Sequence, residues 1–380
     1  MNCFGPGAAR PWHVRRRKKL MSHFSLLSDP ENYVAIDWDL LKDEQARLHW
    51  LDHFEKHFRR TLEHAHGWYG RPAGRRIDAA REEFQAVIDK LRAKPDSLPG
   101  GKLDIIQLDR LRGQTLHKHG IEDPFAAVKA RENDAAMAIY PETVRDLHLM
   151  EGEQKWLHLI ECVFTGNIFD LGAMETMDLA DDGASFVQLA ERIKPRPWLV
   201  DDFDALVAQL VPAPPMPWGK AVVFVDNAGS DFVLGVMPLV REMALGGTQI
   251  VLAANETPSL NDITVDEVIH VVERLAAMDG DLAALIEGKM FEVVSTGSGI
   301  PLIDLSEVSD ELNAAVEDAD CVILEGMGRA VESNHDARFS VDCIRLAILK
   351  DAVVAKRVGG GLYDCVCKFT PAEKEAPAAE

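Results

Sequence analysis

Six short apolar runs fall between residue 220 and the C-terminal end, and they constrain the fold more than any other feature. They are AVVFVD (221–226), QIVLAA (249–254), FEVVS (291–295), DCVILE (320–325), CIRLAI (343–348) and YDCVCKF (363–369). Several are β-branched and almost continuously hydrophobic, as strands buried on both faces must be. Helical patterns lie between them at 231–245, 264–278 and around 310–319. Strand and helix in alternation predict βαβ units and an α/β/α sandwich around a mainly parallel, doubly wound sheet.

Upstream the texture differs. Residues 31 to about 210 read as helical, with apolar positions three and four apart in 40–62 and 76–91, and a helix over 151–164 that stops at Gly166. Between the two textures stand four prolines in the eight residues 211–218, which no helix interior or central strand accommodates. The expected organisation is a basic disordered leader (1–21), a mainly helical domain (22–210), an α/β domain (219–369) and a disordered tail (370–380). No repeat of fixed period is present.

Charge narrows the partners. The chain has 41 basic and 62 acidic residues, net −21, and six of the basic ones lie in the first twenty residues without an acid. An acidic body repels phosphate backbones, so neither nucleic acid nor membrane is an expected partner. No run approaches the ~18 apolar residues of a membrane span. The leader lacks a continuous apolar segment, so it is not a secretory signal; being Arg-rich and acid-free, it weakly resembles a transit peptide. The expected compartment is the cytoplasm, with organelle import left open. Cys3, Cys162, Cys321, Cys343, Cys365 and Cys367 form no C-x-x-C pair and read as reduced, mostly buried thiols.

In an open parallel sheet, ligands bind beyond the carboxyl ends of the strands. The first run ends in Asp226-Asn227-Ala228-Gly229-Ser230-Asp231, where Ser230 is placed to cap the next helix and Asp231 to sit in its first turn. The second is followed by Asn261-Asp262 just before Thr264-Val-Asp-Glu267, a capping box. If these strands are neighbours, Asp226, Asn227 and Asp262 converge as hard oxygen donors for Mg²⁺ or Mn²⁺. Each is equally a common loop former or cap. The third run ends in Ser295-Thr296-Gly297-Ser298-Gly299, whose small residues expose amides able to cradle a phosphate or simply make a tight turn. Glu325 and Arg329 follow the fourth run, and Lys350 the fifth. Glu132, Asn133, Asn167 and Asp170 form polar clusters beside apolar helices and read as caps from chemistry alone. No P-loop, G-x-S-x-G or H-E-x-x-H motif is present, and His270 reads as structural.

These motifs together resemble a known family. VVFVDNAGSDFVLGVMPLVREM, NDIT, EGMGRA, TGNIFDLGA, KAREN (129–133) and VGGGLYDCVCKF are similar to the metal-dependent damage-control phosphatases, formerly a domain of unknown function. The resemblance spans about residues 22–370. It is strongest to the plant-type stand-alone branch, akin to the C-terminal phosphatase domain of eukaryotic pantothenate kinases. It implies metal ligation by Asp226, Asn227 and Asp262 and further active-site positions at Glu132, Asn133, Asn167, Asp170, Glu325 and Lys350. Asp226, Asp262 and Lys350 are the expected catalytic residues, and Thr296, Gly297 and Ser298, from the small-residue strand end, join Glu132, Asn133, Asn167, Asp170 and Glu325 as expected substrate contacts. The resemblance implies Mn²⁺, Ni²⁺, Co²⁺ or Mg²⁺ as cofactor and a small phosphomonoester as substrate, such as 4′-phosphopantetheine, its damaged forms or a sugar phosphate. Water is the expected nucleophile, since no D-x-D-x-T/V motif follows the first strand. The rival expectations are a non-catalytic sensor of a phosphorylated metabolite and, further off, a methyltransferase.

Overall fold

The computed structural model describes residues 20–168, 192–211 and 215–372. The proposed leader (1–19 of it) and most of the tail lie outside those residues, as does Asp170. β1 (Met21–Ser22) comes first, followed by helices α1 (Glu44–Tyr69), α2 (Gly74–Ala93), α3 (Ile105–Lys118), α4 (Ala126–Leu147) and α5 (Gly152–Ile168). Then come β2 (Val200–Asp201) and α6 (Phe203–Leu210). β3 (Lys220–Phe224) leads through a π-helical turn (Asp231–Val236) into α7 (Met237–Leu245) and β4 (Gln249–Ala254). α8 (Val265–Ala276), α9 (Gly280–Glu287), β5 (Phe291–Ser295), β6 (Val308–Ser309), α10 (Asp310–Ala315) and β7 (Cys321–Glu325) follow. β8 (Asp342–Ile348), α11 (Ala352–Arg357) and β9 (Cys365–Thr370) complete the fold.

All six apolar runs are strands of one seven-stranded sheet, in the order β2-β9-β8-β7-β3-β4-β5. β8, β7, β3, β4 and β5 are parallel, and β9 runs antiparallel to β8. From β3 the chain first winds outward through β4 to β5, then returns to β7 on the other side of β3. The order therefore reverses at β3, and this switch point opens a crevice at the strands' carboxyl ends.

The period of two along a strand divides the apolar residues between two cores. Ala221, Val223 and Val225 face a core completed by α4–α8. Val222 and Phe224 face the other, built with α1–α3 and α10. The N-terminal helices thus cover both faces, and chain from either side of the proline-rich stretch contributes to both cores. The five cysteines among the described residues are free and buried. No described helix is long and apolar enough to cross a membrane.

Two local readings come out differently. The Thr264–Glu267 capping box forms, with the Thr264 amide donating to Glu267 Oε2 at 2.8 Å. Ser230, however, is not a cap: it has helical angles (φ −61°, ψ −33°) and makes no capping bond. The first turn of the helix (Asp231–Val236) is π-helical, which carries Asp231 inward rather than onto a solvated first turn.

α5 crosses that π-turn at very short range. A Cβ on Gly166 would stand 2.8 Å from Asp231 Cα and from Ser230 O, and one on Gly235 3.1 Å from Val163 Cα. Only glycine permits this approach, and the approach sets Asn167 beside Asp231. Gly166→Ala should therefore destabilise the fold by about 1–3 kcal/mol, as overpacking does. A urea midpoint unchanged from wild type at equal m-value would contradict this.

Candidate active site

The crevice at the switch point gathers four buried carboxylates: Asp226, Asp231, Asp262 and Glu325. Asp226 follows β3, and its amide donates to Glu325 Oε2 at the tip of β7 at 3.0 Å. An isolated bridge pairs Asn227 with Asp262, so the loops after β3 and β4 run side by side. Asp226 and Asp262 are within reach of one guanidinium: Arg329 donates through Nη1 to Asp226 Oδ1 and through Nη2 to Asp262 Oδ2 (2.7 Å). Asn255, at the end of β4, adds a 2.8 Å bond from Nδ2 to the same Asp262 oxygen.

On the other side, the Asn167 side-chain amide faces three carboxylates, with Nδ2 3.1 Å from Asp226 Oδ2, 2.8 Å from Asp231 Oδ2 and 3.0 Å from Glu325 Oε1. Asn227 donates to Asp231 through its amide (3.2 Å) and side chain (2.9 Å). Lys350 Nζ donates to the Asn167 carbonyl at 2.8 Å. Oxygens of Asp226, Asp231 and Glu325 all lie within 4.8 Å of one another.

Burial and mutual repulsion shape the electrostatics. Burial pushes the Asp231 carboxyl up to about 6, with the Asp226 charge adding to it. Glu325 is raised well above the ordinary range, first by burial and then by Asp231 and Asp226. Arg329 loses solvation but is held more firmly charged by Asp262 and Asp226. Four carboxylates thus face two buried cations, Arg329 and Lys350. Asp231 Oδ1 and Asn167 Oδ1 are buried with no hydrogen-bond partner among the described residues. Oxygen donors, excess negative charge and unpartnered buried oxygens fit a hard divalent cation.

Among the residues singled out by sequence, Asp226, Asn227, Asp262, Asn167, Glu325 and Lys350 come together here. Asn133 acts one step back: its Oδ1 accepts the Gly229 amide at 2.7 Å and braces the loop that follows Asp226. Glu132 packs on that same glycine, where an added Cβ would stand 2.9 Å from Glu132 Cβ. Thr296, Gly297 and Ser298 do not join the cluster. The amides expected to cradle phosphate are satisfied locally: Gly297 N donates to Ser295 Oγ (3.0 Å) and Ser298 N to Thr296 Oγ1 (3.1 Å). Sequence reasoning missed Asp231 and Asn255 and left Arg329 without a definite role. Asn255 stands at a strand tip next to the switch point, and that position alone was a sufficient signal.

A cavity runs from Asp226, Asn227 and Asp262 to the helical half, where Trp50 and Phe54 of α1 and Arg112 of α3 form its far wall.

The sequence pattern of the damage-control phosphatase ARMT1-like domain matches residues 60–366. The chain belongs to this family. It is 40% identical over 296 residues to a damage-control phosphatase of Arabidopsis thaliana, covering 77% of this chain and 79% of that protein. It is 30% identical over 407 residues to a 4′-phosphopantetheine phosphatase of Mus musculus, covering 93% and 49% respectively. A pantothenate kinase 2 of Arabidopsis thaliana is 36% identical over 377 residues, 92% of this chain and 42% of the kinase. The chain thus spans about half the length of the last two relatives. A DUF89 family protein from Pyrococcus horikoshii shares the fold, with a TM-score of 0.59 at 18% identity over 86% of this chain and 98% of that one. Members of this family are phosphatases by name, and the crevice lies where a doubly wound sheet places its ligands.

Gly326 keeps the crevice open. It has φ +91°, and a Cβ there would stand 2.5 Å from Asp226 Cγ and 2.9 Å from Asp226 Cβ. Gly359 has similar strain (φ +82°) with nothing within 4 Å. Gly359→Ala should cost about 1 kcal/mol through backbone strain alone. Gly326→Ala should cost about 2 kcal/mol more, because it also displaces the Asp226 carboxylate. Equal urea midpoints for the two variants would show that the carboxylate is not held against this glycine.

Proposed function

We propose that this chain is a divalent-metal-dependent phosphomonoesterase for a small phosphorylated metabolite. The foremost substrate class is 4′-phosphopantetheine and its damaged forms, and sugar phosphates are the second. The buried cluster of Asp226, Asp231 and Glu325, with Asn227 and Asp262 brought beside it by the bridge between their loops, carries this reading, and the names of the mouse and Arabidopsis relatives support it.

Asp226, Asn227 and Asp262 would hold the ion. Once bound, a divalent ion supplies Lewis-acid polarisation of a phosphoryl oxygen and a more acidic water. The remaining duties fall to the chain itself. Lys350, fully buried beside Asn167, supplies positive charge for the phosphoryl oxygens as the transition state develops. Arg329 fixes the spacing of Asp226 and Asp262 through its rigid fork. Asp226 orients the attacking water. Asn167 ties Asp226, Asp231 and Glu325 into one array, so that the array does not fly apart under its own repulsion.

Chelation should abolish hydrolysis of p-nitrophenyl phosphate, and Mn²⁺, Co²⁺ or Ni²⁺ should restore it at least as well as Mg²⁺. Asp226→Asn and Asp262→Asn should each lower kcat/KM by about 10³-fold or more with an intact far-UV spectrum. Metal-loaded protein that binds phosphopantetheine but turns over none of a panel of phosphopantetheine derivatives and sugar phosphates would instead mark a sensor.

A further inference from the structure

The same cavity has a second set of donor atoms at its helical end. His49 and His53 lie one turn apart on α1, the i, i+4 spacing that places two imidazoles on one helix face. Asp351 meets them from the loop after β8. Its Oδ2 is 3.1 Å from His49 Nε2, and one donor atom from each of the three residues lies within 4.8 Å of the others. His53 and Asp351 both line the cavity that reaches Asp226.

Three features set this cluster apart from a simple ion pair. Asp351 Oδ1 already accepts the amides of Val353 (2.8 Å) and Val354 (2.9 Å) at the start of α11, which fixes the carboxylate with Oδ2 toward His49. Such outer bonds commonly fix a ligating carboxylate. His53 makes no hydrogen bond to any described residue, yet one of its ring nitrogens lies within 4.8 Å of a donor atom of both His49 and Asp351. Burial also pushes its pKa down to about 4, against the pull of Asp351, so the ring stays neutral with a lone pair to donate. An ion pair would need only His49. The nearby Arg112 is neutralised by Asp109, its hydrogen-bonded partner on the same helix.

We propose that His49, His53 and Asp351 form a second metal site, for a borderline transition-metal ion of the Zn²⁺ class, separate from the all-oxygen crevice around Asp226. Two imidazoles and one carboxylate select Zn²⁺, Co²⁺ or Ni²⁺ over Mg²⁺ or Ca²⁺. Three protein donors leave a tetrahedral ion one position for water or a substrate atom. The site would also tie α1 of the helical half to the segment carrying Lys350, so its occupancy bears on both ends of the cavity.

Metal stoichiometry tests this. Chelated full-length protein is loaded with Zn²⁺, passed through a desalting column and assayed by mass spectrometry for bound metal. Wild type should hold one equivalent more than the His49→Gln variant. In an Asp226→Asn/Asp262→Asn background one equivalent should remain, and His49→Gln should remove it. Co²⁺ in that background should give a visible d–d band that His49→Gln and His53→Gln both abolish. Glutamine at 49 keeps an amide able to donate to Asp351, and the melting temperature and far-UV spectrum of the metal-free variant are recorded to separate loss of metal from loss of fold. Equal zinc content with and without His49→Gln in both backgrounds would overturn the proposal. Loss of one equivalent from a wild type that holds only one would uphold it while telling against the crevice as a zinc site.

Discussion

Burying like charges together is the most expensive feature of this molecule, and much of the architecture near the sheet's carboxyl edge exists to make it tolerable. Moving an ionised carboxylate out of water costs several kcal/mol even after the protein relaxes. Asp226, Asp231, Asp262 and Glu325 do so within one crevice. Arg329 compensates as a two-pronged donor, one prong to each of the two loops that follow β3 and β4. Lys350 compensates from a distance, through the Asn167 backbone. Neither cation would be in place without the strand order, because Arg329 comes from the turn after β7 and Lys350 from the end of β8, while their carboxylates follow β3 and β4. The reversal of strand order at β3 is thus an electrostatic requirement as much as a topological one.

Asn167 shows how backbone packing feeds that site. Its side chain can face three carboxylates only because α5 nearly touches the π-turn at Gly166 and Gly235. A neutral amide donating to several crowded carboxylates lowers their repulsion without adding a charge that would compete for them. The orphaned oxygen of the same amide is then left pointing into a polar interior, where an unpartnered acceptor is costly.

The sheet was legible in the sequence for a simple reason. Strands buried on both faces must be apolar throughout, and residues 221–226 and 320–325 are nearly so. The convergence of Asp226, Asn227 and Asp262 was legible because a parallel sheet binds ligands beyond the carboxyl ends of its strands, and these residues stand at the tip or in the crossover of two neighbouring strands. Asp231 was hidden by a sound rule: an acid just after a serine normally marks a helix start and faces water. A π-turn overrode it, and nothing local announces a π-turn. The Thr296–Ser298 turn misled for the opposite reason. Its glycine and hydroxyl pattern is right for anion binding, but the hydroxyls of Ser295 and Thr296 take up the very amides they seemed to leave exposed. Nor could periodicity say which sheet face each N-terminal helix would cover. An amphipathic stripe shows that a helix buries one side, not what it buries it against.

That last point governs how chemistry and selectivity divide in this fold. The carboxylates and their cations come mainly from the strand tips, joined by Asn167 at the end of α5. The opposite wall of the cavity comes from α1 and α3, with Trp50, Phe54 and Arg112. On the proposed function, an aromatic surface and a guanidinium would meet the part of the substrate that lies beyond its phosphate. Substitutions along α1 and α3 can therefore reshape what fits while leaving the reacting end alone, because none of these three side chains hydrogen-bonds to the carboxylate cluster among the described contacts. A phosphatase fold that accepts different metabolites needs just this separation: a fixed, heavily charged edge for the phosphate, and a wall carried by separate helices for the rest.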